Sequence, residues 1–592
     1  MRPFLPSRLD LDAVAPYRIP AVERAGLLRL DINEHPGGAP EFVVEAVRAA
    51  LTADTLATYP VYAEWHTVAA QRFGVAPDEV TCTAGGDEAI KAICEAHLLP
   101  GRALVMQDPG YDMFRIWSQL YGNPLRPVAF GPGFAFDAEA WLQALQGDPG
   151  LVALVSPSNP TGTVVHRAII EETLSRVRCP VVVDETYADF TGTTVADLVA
   201  RHPHLFVVRS FSKAQGLAGL RAGAVLSQAQ NIEGLRRVLN PFNVNRAAIA
   251  AALAVMRRPD HLAAHVAEVA AARTQFVTHL GQLGVTTGPA TANFVLADFG
   301  DKAGHATRSL AQEGILVRDR TGSHPRLDGH VRIAIGTGPQ MARCSAALRK
   351  SLAPVPDLDA LLFDFDGPLC DVAHSYRKAI VDTARALLAQ WGATPDILAE
   401  ITEHRVEILK RRGGLNNDWD CTAALIAELG GMVAYADVVD AFQSLYWGDD
   451  GDGLIAGEPF LCDAGLRDRI GTRWKTAIVT GRPRREALWT LQKHGAIDLW
   501  PVLVAMEDMP RPKPAPDGLS NALAQLGVDA SRAAYFGDSV DDMAAASSGG
   551  LLALGVLPAG ASWQGGLAEK LAEAGAWTVF ASVEEGVTWL GG

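Results

Sequence analysis

Ser210-Phe-Ser-Lys-Ala-Gln-Gly-Leu-Ala-Gly-Leu-Arg221 sets one lysine between two hydroxyls and an arginine, in a run too rich in glycine for a helix interior. It follows the apolar run Leu205-Phe-Val-Val208, which reads as a strand buried on both faces. An amine in a turn at a strand's end, with hydroxyls and a guanidinium beside it, suits a nucleophile next to an anion. By itself S-x-S-K is common in loops, so the neighbours decide. Similar apolar runs recur at Leu151-Val-Ala-Leu-Val155, Val181-Val-Val183, Ala360-Leu-Leu-Phe363, Thr476-Ala-Ile-Val479 and Ala533-Ala-Tyr-Phe536. Between them lie Ala/Leu/Glu/Arg-rich stretches, of which residues 247–257 and 263–283 are the clearest helices. That alternation predicts an α/β protein with parallel sheets.

Other motifs of the N-terminal half fall in a fixed order. Asp31-Ile-Asn-Glu34 stands near the start, Ala84-Gly-Gly-Asp-Glu88 opens a helical stretch, and Asp108-Pro-Gly-Tyr111 follows. Ser156-Pro-Ser-Asn-Pro-Thr-Gly162 follows one strand, Val183-Asp-Glu-Thr-Tyr187 ends the next, and Val331-Arg-Ile-Ala-Ile-Gly-Thr337 comes late. Together they resemble the fold-type I aminotransferases, specifically the histidinol-phosphate aminotransferase family, over about residues 10–350. The resemblance implies a large α/β domain, a small α+β domain and pyridoxal 5'-phosphate (PLP) as cofactor.

Lys213 would then form the internal Schiff base and move a proton during transamination. Asp184 would pair with the pyridine nitrogen, Tyr187 and Asn159 would bond the phenolic oxygen, and Tyr111 would stack on the ring. Backbone N–H groups at Gly86 and Asp87, with Ser210, Ser212 and Arg221, would cradle the phosphate. Tyr59 would come from a neighbouring subunit, which implies a homodimer. Arg332 would grip the amino donor's carboxylate, and Arg318 and Asn33 would complete the substrate site. Two guanidiniums can serve glutamate and a phosphorylated ketone alike, because carboxylate and phosphate accept the same bidentate bonds. Taken alone, Arg318 could equally be a surface ion-pair partner, and Asn33 a turn residue.

The C-terminal half carries a second set. Asp364-Phe-Asp-Gly-Pro-Leu369, Val479-Thr-Gly-Arg482 and Gly537-Asp-Ser-Val-Asp-Asp542 each follow a strand, and Lys513-Pro-Ala-Pro-Asp517 lies between the last two. Two carboxylates two residues apart at a strand's end point the same way. The set resembles the haloacid dehalogenase-like phosphatases over about residues 358–592, a Rossmann-like domain with a helical cap at about 372–457. That implies Asp364 as nucleophile, Asp366 as general acid and base, and Thr480 and Lys513 on the phosphoryl group. Mg²⁺ would be held by Asp364, the carbonyl of Asp366 and Asp538, with Asp542 supporting it directly or through water. Pro368 departs from the usual Thr or Val and removes a backbone N–H. Asn416, Asn417 and Trp419 are candidate substrate contacts in an expected loop.

The chain has 592 residues and a net charge of −15, too acidic to coat nucleic acid. Its seven cysteines are scattered and never form C-x-x-C, as in a reducing compartment. No apolar run approaches a membrane span, so a cytoplasmic enzyme without membrane or nucleic-acid partners is expected. A boundary is expected at Ala353-Pro-Val-Pro-Asp357, giving an aminotransferase at 1–352, a linker at 353–358 and a phosphatase at 359–592. The expected function is bifunctional: imidazole acetol phosphate plus glutamate to histidinol phosphate and 2-oxoglutarate, then Mg²⁺-dependent hydrolysis to histidinol. Two alternatives stay open. One is an aminotransferase for another amino acid fused to an unrelated phosphatase; in the other the C-terminal half is a non-catalytic passenger.

Overall fold

The apolar runs form strands because their β-branched and leucine side chains bury on both faces, and Asp, Ser, Thr or Gly closes each one. In the computed structural model, which describes residue 14 and residues 24–352, 357–373, 375–410, 417–559 and 566–591, the chain divides into two compact units, Met1–Leu352 and Ala353–Gly592. Among the described residues no helix is long and apolar enough to cross a membrane.

The first unit is built on a seven-stranded sheet. Its order is Val80–Thr83, Gly223–Leu226, Leu205–Ser210, Val181–Asp184, Leu151–Val155, Leu104–Asp108 and Leu125–Ala129. Gly223–Leu226 is antiparallel to both its neighbours, and the other pairs are parallel. So the expected parallel sheet carries one reversed strand. The cause is the lysine-bearing segment itself. It turns the chain straight back, pairing Ser210 with Gly223, and a return without a crossover helix must be antiparallel.

A smaller antiparallel sheet, ordered Arg318–Asp319, His330–Ala334, Phe294–Asp298 and Thr286–Thr287, packs with long helices around a separate apolar cluster that includes Phe276, Phe294 and Ile333. The expected helices are Arg246–Met256, capped by the Asn245 side chain accepting from Ala248 N at 2.9 Å, and Pro259–Gln282, with proline in its first turn.

The second unit has a six-stranded, all-parallel sheet, ordered Val502–Val504, Lys475–Val479, Ala360–Phe363, Ala533–Gly537, Leu552–Val556 and Thr578–Phe580. Its first strand in sequence is central, and the chain winds away from it on both sides. That creates a crevice at the carboxyl ends, where ligands bind in such sheets. Between the first two strands are inserted helices including Tyr376–Trp391, Asp418–Glu428 and Tyr435–Tyr446, which share a core of their own around Leu388, Leu425 and Phe442. Trp419 lies in the first turn of a helix capped by the Asn417 side chain, not in the expected loop; Asn416 lies outside the described residues. The two connections to this helical insertion run side by side. Asp371 N donates to Pro459 O at 2.9 Å and Leu461 N to Leu369 O at 2.8 Å.

Candidate active sites

In the first unit, strand ends and one helix start converge on a cavity of about 530 Å³. Lys213 stands in its wall, half-buried, its ammonium donating to Ile32 O at 3.1 Å. Burial, then the nearby charge of Arg332, lowers its pKa from 10.5 to about 8. Asp184 ends its strand 3% exposed and accepts from Thr186 N at 3.0 Å and Thr186 Oγ1 at 2.6 Å. Burial raises its pKa to about 6, the mark of a carboxylate without a cationic partner. Tyr187 OH accepts from Asn33 Nδ2 at 3.0 Å, while Asn33 Oδ1 is buried with no hydrogen bond among the described residues.

At one end of the cavity begins the helix Gly86–His97. Arg221 lies beside that start, its Nη2 2.7 Å from Asp87 Oδ2 and its Nη1 3.4 Å from Ser212 Oγ. Gly85, with φ of 82°, lets the guanidinium in: a Cβ there would stand 2.5 Å from Arg221 Nη2. Ser210 also lines the cavity, and Tyr111 donates to Asp87 Oδ1 at 2.6 Å. Hydroxyls, a guanidinium and free helix N–H groups form an anion cradle. An orphan amide oxygen, a buried acid with no cationic partner at the end of the central strand and a low-pKa lysine fit PLP as a group spanning from that cradle to Asp184.

Substrate-facing groups come from the small sheet. Arg332 Nη1 donates to Asn159 Oδ1 and its Nη2 to Asp31 O, both at 2.7 Å, which fixes the guanidinium. Arg318 is its register partner on the adjacent strand and lines the same cavity. Arg320 lines it too, and sequence reasoning missed it, because one more arginine in a polar loop carries no spacing signal. Tyr59 is the exception. It is 73% exposed, stacks on Phe242 at 4.2 Å, and does not line its own chain's cavity.

In the second unit, Asp364, Thr480 and Asp538 sit immediately after three adjacent strands of the central sheet. Asp364 Oδ2 is 2.9 Å from Lys513 Nζ. Lys513 is held from behind by Asp542 at 2.6 Å and by Tyr535 OH at 3.0 Å. Asp542 also closes a capping box, accepting from Ser539 N and Oγ at 3.0 and 2.7 Å. Burial alone would raise the Asp542 pKa, but Lys513 and Ser539 outweigh it and the acid is held below its usual range. Burial and neighbouring carboxylates push Asp364 and Asp538 upward. Oxygens of Asp364, Asp538 and Asp542 lie within 4.8 Å of one another. Three carboxylates against one lysine leave an excess of negative charge, and all-oxygen donors fit a hard divalent cation. Gly367 has φ of 93°, and any Cβ would collide with Asp538 Oδ2, which explains the glycine after the paired aspartates.

Asp366 lines the same crevice and is paired with an arginine: its Oδ1 is 2.5 Å from Arg482 Nη2. Arg482 is 4% exposed and also ion-pairs with buried Glu458 at 3.0 Å. Glu458 in turn accepts from Ser375 Oγ at 2.5 Å, Tyr446 OH at 2.8 Å and Cys370 Sγ at 3.5 Å. Neither Arg482, Glu458 nor Tyr535 was singled out from sequence. A cavity of about 220 Å³ joins Asp364, Asp366, Thr480 and Lys513 to Asn417 and Trp419 of the helical insertion.

Comparison with known proteins follows this division. The model of aminotransferase class I and II matches residues 25–349, and that of haloacid dehalogenase-like hydrolase matches residues 358–550. A histidinol-phosphate aminotransferase of Roseiflexus castenholzii is 36% identical over 354 residues, covering 56% of this chain and 93% of that protein. Histidinol-phosphate aminotransferase 2 of Gluconobacter oxydans is 35% identical over 352 residues, 58% of this chain and 97% of that one. The crystal structure of histidinol-phosphate aminotransferase from Sinorhizobium meliloti in complex with pyridoxal-5'-phosphate aligns with a TM-score of 0.51 at 25% identity, over 55% of this chain and 90% of that one.

Proposed function

From a chain that belongs to the class I and II aminotransferases and continues into a haloacid dehalogenase-like hydrolase, a PLP-dependent transaminase joined to a Mg²⁺-dependent phosphatase, we propose that the two halves perform consecutive steps. The first converts imidazole acetol phosphate and glutamate to histidinol phosphate and 2-oxoglutarate; the second hydrolyses histidinol phosphate to histidinol. The observation that carries this is the meeting of three guanidiniums, Arg318, Arg320 and Arg332, on the lysine cavity. One site that accepts both a dicarboxylate and a phosphate-bearing ketone needs such a set, and the relatives' names favour this ketone.

In the aminotransferase half, bound PLP supplies an electron sink for the charge left when a proton departs from the substrate carbon. Lys213, with its pKa near 8, holds and returns that proton at Nζ. Asp184 would pair with a cationic ring nitrogen of the bound cofactor, and Tyr187, oriented by Asn33, would donate to the ring's oxygen. Asn159 and the Asp31 carbonyl fix Arg332 for the substrate carboxylate. Exposed Leu56, Tyr59, Val61 and Phe242 form a surface suited to a second copy, across which Tyr59 would reach the neighbouring cavity. Light scattering giving a monomer at micromolar concentration would oppose that assignment.

In the phosphatase half, Asp364, the Asp366 carbonyl and Asp538 would hold Mg²⁺, which would supply charge to offset that of the phosphoryl oxygens. Asp364 attacks phosphorus, the ester bond breaks, and Asp366 delivers a proton to the departing alcohol oxygen. Water then attacks the aspartyl-phosphate, with Asp366 taking its proton. Asp542 supports the site through Lys513, since both its oxygens are already engaged.

The decisive measurement is phosphate release from L-histidinol phosphate by the full-length protein with Mg²⁺, against Asp364→Asn. Release that vanishes in the variant, and exceeds that from serine phosphate, is expected. A protein that transaminates yet releases nothing would separate the two halves functionally.

A further inference from the structure

The phosphatase cavity contains a carboxylate that the hydrolytic steps do not use. Glu486 lies in the helix Arg484–Lys493, is 6% exposed, and lines the same cavity as Asp364 and Lys513. Its Oε1 accepts from Gln443 Nε2 of the helical insertion at 2.9 Å, and its Oε2 accepts no hydrogen bond among the described residues. Arg482, which lines the same cavity, is already committed to Glu458 and Asp366. Burial raises the Glu486 pKa to about 7 against the Gln443 hydrogen bond and the Arg482 charge, which lower it, with Asp366 and Asp418 adding to the rise. A buried carboxylate with one oxygen free and no ion-pair partner of its own is costly unless a ligand completes it.

The rest of that wall has the matching chemistry. Rings of Tyr376, Trp419, Phe442 and Tyr446 line the cavity, and Asp418 lines it as well. Aromatic faces beside a carboxylate favour a cation over a neutral or anionic group. The phosphoryl group is already met by Lys513 and Thr480, and Arg482, which lines the same cavity, is held by Glu458 and Asp366, so neither cation is offered to an anionic leaving group.

We propose that Glu486 and the surrounding rings form an amine subsite, which selects phosphate monoesters whose leaving alcohol carries a protonated amine. This rests on the phosphatase reading above and adds a specificity-determining residue to it. An ammonium would bond the free oxygen, return Glu486 to its charged form and stack against the rings. An ester without the amine would leave the carboxylate buried and unpaired. The dipole of the substrate, phosphate at Lys513 and ammonium at Glu486, would also fix which end enters first.

The test compares two substrates within each protein, using full-length enzyme with Mg²⁺. These are L-histidinol phosphate and its analogue lacking the amine, with p-nitrophenyl phosphate as a generic ester. Wild type should favour the amine by at least about tenfold in kcat/KM, and Glu486→Gln should collapse that ratio. Glutamine keeps an oxygen for Gln443, and a ratio taken within one variant cancels any loss of folded protein. Product inhibition gives a second reading on wild type alone, where histidinol should inhibit about tenfold more tightly than the deaminated alcohol. An unchanged ratio in Glu486→Gln, or equal inhibition by the two alcohols, overturns the amine subsite. Hydrolysis of p-nitrophenyl phosphate without amine preference overturns it while leaving the phosphatase intact. Hydrolysis of no ester at all removes both readings.

Discussion

Arg482 joins two acids with different tasks, Asp366 at the reaction centre and Glu458 in the interior. Both Arg482 and Glu458 are almost wholly buried, so removing one partner strands a charge. Arg482→Met should lower stability by about 3 kcal/mol or more, read from denaturant unfolding. Adding Glu458→Gln should restore much of that loss without restoring phosphatase activity, because Asp366 stays unheld. A double variant as unstable as the single one would show that packing, not charge, dominates. Lys213 allows a pH prediction. Its pKa falls from 10.5 to about 8, so the reactive neutral amine gains population as pH rises through 8 and is scarce below it. Binding of PLP to cofactor-free protein, followed by absorbance, should accelerate with pH and level off above about 8. A rate still climbing steeply at pH 10 would mean the amine is not desolvated.

Elements decide where those residues stand. The helix Gly86–His97 can offer its first N–H groups only because Gly85 turns with positive φ beneath Arg221. Gly85→Ala should displace the guanidinium and weaken PLP binding by about tenfold or more, measured by equilibrium titration. Motifs of this kind were legible in sequence because strand, turn and helix start are contiguous: Asp184, Lys213, Asp364 and Asp538 each end or follow a strand and announce it. What could not be read came from distant pairings. Tyr535 looks like one more apolar position of Ala533-Ala-Tyr-Phe536, yet its hydroxyl anchors Lys513. Glu486, in the charged run Arg484-Arg-Glu486, reads as a solvent-facing helix residue until Gln443, from another helix, covers it. Trp419 looked like loop because the polar residues before it are also good cap formers, and Asn417 uses its side chain to start a helix there. The antiparallel strand Gly223–Leu226 escaped for a related reason. Its apolar run is short, and direction lies in the connection rather than in the strand.

At the level of the whole chain, each unit has its own sheet and its own apolar clusters, so the chemistries should be separable by point changes. Lys213→Ala should abolish transamination and leave phosphate release near wild type; Asp364→Asn should do the reverse. Chelation of divalent cations should silence only the phosphatase. In calorimetry, PLP should raise the transition of one unit and Mg²⁺ that of the other, by the mass-action term each ligand adds. A single transition that responds to both ligands would mean the units unfold together. A last consequence concerns motion within the second unit. The chain leaves for the helical insertion and returns from it through two segments joined at Asp371–Pro459 and Leu369–Leu461, with Glu458 tying Cys370 and Ser375 together just beyond. The insertion is also held by Gln443 on Glu486, by the contact of the Trp447 and Trp489 rings and by Lys493 Nζ donating to Ala456 O, so its movement works against these contacts as well as against the laced connections. Any shift of the laced connections is felt at Glu458, and because Arg482 grips both Glu458 and Asp366, such a shift transmits torque to the carboxylate of Asp366.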